Sequence, residues 1–243
     1  MKARLYAIPA SHPSYAAELM LERKGIEYSR VDLPQWFHRG LLRLLRFQGR
    51  TVPALVLDGR RVQTTVRIAR VLDEVRPEPR LVPADPELRA KVEALEQWVD
   101  GDLQQYDRRL VYWALPRHPD AVGSYLEGSK LILPMFMVKP LAPPIIRILR
   151  RDHRASDDAV KADLSALPAI LDKLDQAIAD GVIGGAEPNV ADLQVATTVA
   201  LMMTHADLRA YIAARPVGKL AQRLAPDYPG HMPAAFPADW LPA

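Results

Sequence analysis

Two neighbouring threonines, Thr64 and Thr65, stand where the sequence changes from a strand pattern to a helical one. The apolar residues that follow at helical spacing are Val66, Ala69, Val71 and Leu72. A threonine hydroxyl at the start of such a helix can cap it by accepting a hydrogen bond from a free N–H of the first turn. Because the helix dipole and the remaining N–H groups attract anions, the sequence predicts a carboxylate-binding site at this helix start.

A second pair of hydroxyls, Ser11 and Ser14, precedes another predicted helix, whose apolar residues include Ala17, Leu19, Met20 and Leu21. Either serine can cap this helix, so a purely structural role accounts for both. His12 lies between them and is interpreted as an exposed loop histidine. The other histidines show no ligand spacing, so no metal site is expected.

The composition limits which chemistry the chain can perform. It has 243 residues and no cysteine, which excludes disulfides, thiolate metal sites and cysteine nucleophiles. A reducing, cytoplasmic location is the simplest expectation for such a chain. The net charge of +3 is a weak argument for nucleic acid, and no motif for DNA or RNA accompanies it. We therefore expect no nucleic-acid partner.

The first third of the chain predicts alternating strands and helices. A strand over Arg4 to Ile8, the helix after Ser14 and a strand over Ile26 to Leu33 imply a parallel crossover. The segment Trp36 to Phe47 is interpreted as a helical or irregular connection. Asp58-Gly59 then predicts a tight turn between two short strands, the first of which is entered through Val-Pro. The resulting order is βαβ, connector, ββα.

From Glu87 onward the pattern is helical. A long helix is predicted through Leu103 and another from about Ser156 to Ala179. Asn189 and Asp192 have capping-box spacing before a further apolar helix. The proline-interrupted segment Leu131 to Leu149 is interpreted as a helix hairpin packed in the core. A wall of a ligand cleft, or a membrane-surface contact backed by arginines, is the alternative.

The order Val-Pro, strand, Asp-Gly, strand, hydroxyl-capped helix resembles the thioredoxin-like domain of the glutathione transferase superfamily. The stretch from Leu21 to Tyr28 and the linker-like Pro83 to Pro86 are also similar to that family. The resemblance implies an α/β thioredoxin-like domain over residues 1–77, a linker over 78–87 and an all-helical domain over 88–243.

The same resemblance implies a site for glutathione as co-substrate. In it, the Val52-Pro53 bond is cis and Val52 offers backbone groups to the cysteinyl part of glutathione. Thr65 keeps the family's hydroxyl at the head of the third helix. Thr64 lacks the longer side chain that is usual there, and Gln63 can replace it only after a backbone shift.

Catalysis in the family uses a hydroxyl or thiol beside the first helix. Ser11 stands at that position, with Ser14 second and Tyr15 third. Ala7 replaces the tyrosine that several classes use. A hydrogen bond from Ser11 to the sulfur would favour the nucleophilic thiolate.

The function implied is transfer of glutathione, or a related thiol, to a hydrophobic electrophile by a homodimer. Without cysteine the chain cannot form mixed disulfides itself. A non-catalytic binding or scaffold protein with the same fold is the main alternative, because a fold does not fix a function. A membrane-surface protein that uses Leu131 to Leu149 is a third and less favoured one.

Overall fold

The computed structural model describes residues 1–131 and 141–242, and its first part is built around a four-stranded sheet. The strands are β1 (Ala3–Ala7), β2 (Tyr28–Asp32), β3 (Ala54–Leu57) and β4 (Arg60–Gln63). Their order across the sheet is β2-β1-β3-β4, with β1 parallel to β2 and the other pairs antiparallel. The predicted crossover and the Asp58-Gly59 hairpin are both confirmed.

Three helices cover the two faces of this sheet: α1 (His12–Arg23), α2 (His38–Leu44) and α3 (Thr65–Val75). The side chains of adjacent residues in β1 lie on opposite faces of the sheet, as the strand period of two requires. Leu5 lies opposite Leu55 and packs in the core that includes α1 and α3. Tyr6 lies opposite Ala54 and packs with Leu42 in a smaller cluster beneath α2. This is the predicted thioredoxin-like fold.

The second part of the chain is helical in the residues that the structure describes. Its helices are α4 (Pro86–Trp98), α5 (Gln104–Ala114), α6 (Val122–Tyr125), α7 (Ala142–Asp152), α8 (Asp157–Ala179), α9 (Val190–Met202), α10 (Ala206–Ala213) and α11 (Pro216–Leu224). All thirteen residues of α9 are buried, because it packs against α1, α4, α5 and α11. The predicted capping box at its start is confirmed.

Several sequence expectations need correction. The first helix begins at His12 rather than after Ser14, because Ser11 is the N-cap and Pro13 fits the first turn. The helix that was predicted to run through Leu103 contains a π-helical turn at Val99–Leu103, which joins α4 to α5.

The prediction for Leu131 to Leu149 lies partly outside the described residues, because residues 132–140 are not described. Helix α7 buries one residue, Ile146, and leaves Ile148 exposed. It is therefore a surface helix and not part of a core hairpin.

Helices α3 and α4 lie on either side of the predicted linker, which polar contacts hold in place. Asp73 accepts hydrogen bonds from the N–H groups of Leu81 and Val82, each at 2.9 Å. The buried Lys24 ammonium lies 2.6 Å from the Asp73 carboxylate. Within the described ranges, none of the helices has the length and apolarity needed to span a membrane.

Candidate active site

A cavity of about 550 Å³ opens between the sheet domain and the helical domain, beside the start of α1. The sheet domain contributes the residues from Ile8 to Pro13 together with Thr51 and Val52. The helical domain contributes residues of α5 and α7, and α2 adds His38 and Arg39. Residues from both parts of the chain therefore face the same space, which is where ligand sites commonly form.

Ser11 is the N-cap of α1 and lines this cavity. Its Oγ accepts a hydrogen bond from the Ser14 hydroxyl at 3.0 Å and a longer one from the Ser14 N–H at 3.4 Å. Because Ser14 is the donor in both, the Ser11 proton remains free for a ligand in the cavity. Ser14 itself is buried beneath Ser11, and Tyr15 packs against Tyr228.

His12 is not the exposed loop residue that the sequence indicated. It is the first residue of α1, only 2% exposed, with its Nδ1 atom 3.6 Å from Oδ2 of the fully buried Asp107 in α5. Burial, and secondarily the Arg108 charge, lowers the pKa of His12 well below its usual value. Burial also raises the pKa of Asp107 well above its usual value. Both shifts favour the uncharged forms of His12 and Asp107.

The predicted glutathione-binding residues are divided between two places. Val52 lines the cavity with Ser11, and the bond from Val52 to the buried Pro53 is cis, as predicted. Gln63 and Thr64 instead line an adjoining hollow of about 600 Å³, to which Thr51 also contributes.

Polar contacts fix the residues at the start of α3. The Gln63 side chain accepts from the Gly49 N–H at 2.6 Å and donates to the Thr51 carbonyl at 3.0 Å. Thr64, at a φ of 73°, is the N-cap of α3 and accepts from the Arg67 N–H. The Thr65 side chain is 1% exposed, so its hydroxyl does not reach either space.

Sequence reasoning missed the residues that the helical domain contributes. Arg108 and Tyr112 of α5 line the cavity, as do Asp152 of α7 and His153 directly after it. The His153 ring stacks on Tyr112 with 4.8 Å between ring centroids. Burial, followed by the charge of Arg108, lowers the pKa of His153 to about 4. The spacing of Gln105, Arg108, Tyr112 and Leu115 marks one helix face and is the signal that could have revealed them.

An apolar hollow of about 110 Å³ continues from the cavity. The two share several walls, among them Ile8, Tyr112 and Leu149. The rest of the hollow is lined mainly by apolar side chains of both domains: Trp36, Val122, Leu126, Leu131, Ala142, Ile145 and Ile146. Helix α7 is therefore a wall of the cleft, which was the alternative interpretation of this part of the sequence.

This arrangement suits the binding of an anionic nucleophile beside an apolar compound. A free hydroxyl proton and the positive end of α1 meet at Ser11, where both stabilise negative charge. The guanidinium of Arg108 adds positive charge to the lining of the same cavity. In the described ranges, no group of three or more His, Cys, Asp or Glu side chains is positioned to hold a metal ion.

Comparison with known proteins identifies relatives of both parts of the chain. Residues 5–80 match the family model of the glutathione S-transferase N-terminal domain. The maleylacetoacetate isomerase of Mus musculus is 33% identical over 107 residues, which is 42% of this chain and 50% of the mouse protein. The match thus spans about half the length of that relative.

Two further comparisons extend along nearly the whole chain. A Caenorhabditis elegans protein named "probable maleylacetoacetate isomerase" is 28% identical over 222 residues, covering 88% of this chain and 94% of that protein. The crystal structure of a glutathione S-transferase from Rhodospirillum rubrum F11 has a TM-score of 0.63 at 18% identity. It covers 91% of this chain and 87% of that one, a likeness of fold.

Proposed function

From the match of residues 5–80 to the glutathione S-transferase N-terminal domain, we propose that this chain is a member of the glutathione S-transferase superfamily and that it transfers glutathione to a hydrophobic electrophile in the interdomain cavity. Ser11 donates a hydrogen bond to the sulfur, and Val52 binds the cysteinyl backbone. The start of α3, at Thr64 and Thr65, binds a carboxylate through the N–H groups of its first turn, since the Thr65 hydroxyl is buried. We also keep the homodimer and the cytoplasmic location as proposals.

The observation that carries this proposal is the hydrogen-bond chain at the N-terminus of α1. The Ser14 hydroxyl donates to Ser11, which directs the Ser11 proton away from Ser14. A thiolate bound beside Ser11 therefore gains one charge-assisted hydrogen bond and the favourable end of a helix dipole. Both interactions lower the pKa of the thiol and raise the fraction of nucleophile.

The reaction then needs few further groups from the protein. The thiol proton passes to solvent, and the thiolate forms a carbon–sulfur bond with the electrophile. The leaving group departs with its electron pair, or a conjugated double bond takes up the electrons and later a proton. The apolar hollow next to the cavity supports an apolar body for this second substrate.

Glutathione-dependent isomerisation is a second candidate, supported by the names of the mouse and nematode relatives. A thiolate that adds to a conjugated double bond allows rotation about the former double bond, and elimination then regenerates both the thiolate and the alkene. This chemistry uses the same stabilised thiolate at Ser11. A conjugated cis alkene with glutathione, followed for isomer and for adduct, separates the two candidates.

The test of the proposal compares the parent with Ser11→Ala. We expect the pKa of bound glutathione to rise and turnover with a model electrophile to fall about 10- to 100-fold. Glutathione affinity should stay nearly unchanged, because the ligand backbone is held elsewhere. The measurements are thiolate absorbance against pH, turnover and calorimetric titration. Thr65→Val serves as the comparison and should leave the pKa of bound glutathione unchanged, because the Thr65 hydroxyl is buried and lies outside both spaces.

Two outcomes would contradict the proposal in different ways. Equal thiolate formation in Ser11→Ala and the parent would transfer the role to Ser14 or Tyr15. If the parent binds no glutathione in the titration, the non-catalytic binding protein is the better description of this chain.

A further inference from the structure

We propose that the second substrate is an amphipathic acid, whose anionic group binds the guanidinium of Arg108 while its apolar body occupies the adjoining hollow. This inference rests on the proposed function, from which the reaction is taken. The binding of such an acid can nevertheless be tested without any turnover. Arg108 is then a residue that determines specificity, and neutral hydrophobic compounds are the poorer substrates.

The first argument is the contrast between two consecutive arginines of α5. Arg109 makes a bidentate pair with Asp163, with Nε–Oδ2 and Nη2–Oδ1 distances of 2.5 and 2.7 Å. Arg108 turns to the cavity, and its hydrogen bond goes to the uncharged Gln104 side chain at 2.7 Å. Within the described ranges no carboxylate lies within 4.0 Å of the Arg108 guanidinium. A half-buried cation without a counter-ion favours an anionic ligand.

The second argument is the charge balance of the cavity. Burial together with the Arg108 charge lowers the pKa values of His12 and His153, so both imidazoles are neutral near pH 7. Burial raises the pKa of Asp107, which favours its uncharged form. The described lining residues include two arginines, Arg39 and Arg108, and one carboxylate, that of Asp152. The lining of the cavity therefore carries more positive than negative side chains.

The third argument is the position of the apolar hollow relative to Arg108. Tyr112, one helical turn after Arg108, lines both the cavity and the hollow. A ligand that spans the two spaces therefore meets a cation at one end and apolar side chains at the other. In the reaction, the glutathione thiolate forms a bond to the electrophilic carbon and the leaving group departs with its electron pair. The acid group itself is unchanged.

The kinetic test uses two matched electrophiles, 4-(bromomethyl)benzoate and its methyl ester, each with glutathione. We expect the parent to use the acid with a kcat/KM at least tenfold higher than the ester, after correction for the uncatalysed rates. Arg108→Met should lower kcat/KM for the acid about 10- to 100-fold and change that for the ester less than about threefold. Arg108→Lys should retain part of the preference. Arg151→Met, which removes an exposed arginine outside the cavity, is the charge control.

A binding measurement accompanies the kinetics and does not need turnover. The unreactive 4-propylbenzoate is titrated calorimetrically into the parent and into Arg108→Met, with 4-propylbenzamide as the neutral counterpart. The inference requires that the acid bind the parent more tightly than the amide and that Arg108→Met remove the difference. If neither electrophile is turned over but this difference is present, the proposed function fails and the inference stands.

Three results would overturn the inference. Equal use of acid and ester together with equal binding of acid and amide would show that the cavity does not select anions. If the preference for the acid persists in Arg108→Met, another residue, such as Arg39, is responsible for that preference. Equal losses with acid and ester, accompanied by a higher KM for glutathione, would show that Arg108 binds a glutathione carboxylate instead.

Discussion

At the scale of single residues, burial keeps several titratable groups of this chain uncharged. His205, just before α10, is fully buried, and neither of its ring nitrogens has a hydrogen-bond partner among the described residues. Burial lowers its pKa to about 4, although Asp207 nearby opposes the shift. Its ring lies 5.2 Å from that of Phe236, which belongs to the C-terminal tail. A charge on His205 would therefore be costly in the folded state.

We expect His205→Phe to remove part of the acid sensitivity of the protein. The folded-state pKa lies below the unfolded value of about 6.5, so the unfolded chain binds more protons as the pH falls from 6.5 to 4. The parent should therefore lose about 2 kcal/mol between pH 7 and pH 5 through this group. Urea unfolding at both pH values, with His118→Phe as a control, measures the difference. An equal loss in His205→Phe would contradict the assignment.

The burial of a side chain can be predicted from the sequence when it depends on residues close by in the chain. It cannot be predicted in this way when it depends on packing against a distant segment. Thr65 could have been recognised as buried, because it shares a helix face with Ile68, Ala69 and Leu72 at spacings of three, four and seven residues. The burial of His12 could not have been predicted in this way. It depends on Asp107, which a helix of the other domain brings into place.

At the scale of elements, short-range signals placed most helices and strands correctly. The Asp58-Gly59 turn and the Asn189 cap each depend on residues within a few positions of one another, which a sequence displays directly. The π-helical turn between α4 and α5 inserts extra residues into an otherwise continuous helix. No residue type in this segment predicts such a turn. The helix face that presents Arg108 follows this turn and was therefore missed.

The capping box of α9 gives a prediction at this scale. The Asn189 carboxamide accepts hydrogen bonds from the N–H groups of Ala191 and Asp192 at 2.9 and 3.2 Å, and donates to the Val182 carbonyl at 2.8 Å. Asn189→Ala should lower the free energy of unfolding by about 1–2 kcal/mol, because these groups are buried without replacement partners. Asn189→Asp keeps the hydrogen-bond acceptor, so its free energy of unfolding should fall by less. Thermal and urea unfolding measure both, and an unchanged melting temperature would contradict the role of the cap.

A pair of helix glycines gives a second prediction. A Cβ atom added at Gly218 in α11 would overlap the backbone of Ile212 and Ala213 in α10, whereas nothing lies near one added at Gly40 in α2. Gly218→Ala should therefore destabilise the protein by about 1–3 kcal/mol or more. Gly40→Ala should stabilise it by about 0.5–1 kcal/mol, since alanine favours the helix. Similar effects of both substitutions on urea unfolding would contradict the close packing of α11.

At the scale of the whole molecule, the two domains share one core and are joined by buried polar contacts. The largest hydrophobic cluster includes Leu5 of the sheet as well as Leu103 and Leu164 of the helical part. Arg70 of α3 makes a bidentate pair with Glu96 of α4, at 2.8 and 2.6 Å. Gln194 of the buried helix α9 donates to the same carboxylate at 3.1 Å. Such contacts set the position of the cavity walls, which the sequence alone does not reveal.

The Arg70–Glu96 pair provides the last prediction. Glu96 is 2% exposed, and burial raises its pKa although Arg70 opposes the shift. Arg70→Met leaves this buried carboxylate without its cation, so we expect a loss of about 3 kcal/mol or more at pH 8. The double variant Arg70→Met/Glu96→Met should recover most of it, because removing both charges also removes their desolvation cost. Urea unfolding of the parent, both single variants and the double variant gives the coupling energy between Arg70 and Glu96.

The pH dependence distinguishes a buried charge from a simple loss of packing. Without Arg70, the pKa of Glu96 rises further above its unfolded value, so the folded state of Arg70→Met binds a proton that the unfolded state does not. Its deficit should therefore shrink as the pH falls through that raised pKa. Arg60→Met removes an exposed pair with Glu74 and should cost at most about 1 kcal/mol at any pH. A deficit in Arg70→Met that is the same at pH 8 and pH 5 would show that Arg70 contributes by packing alone.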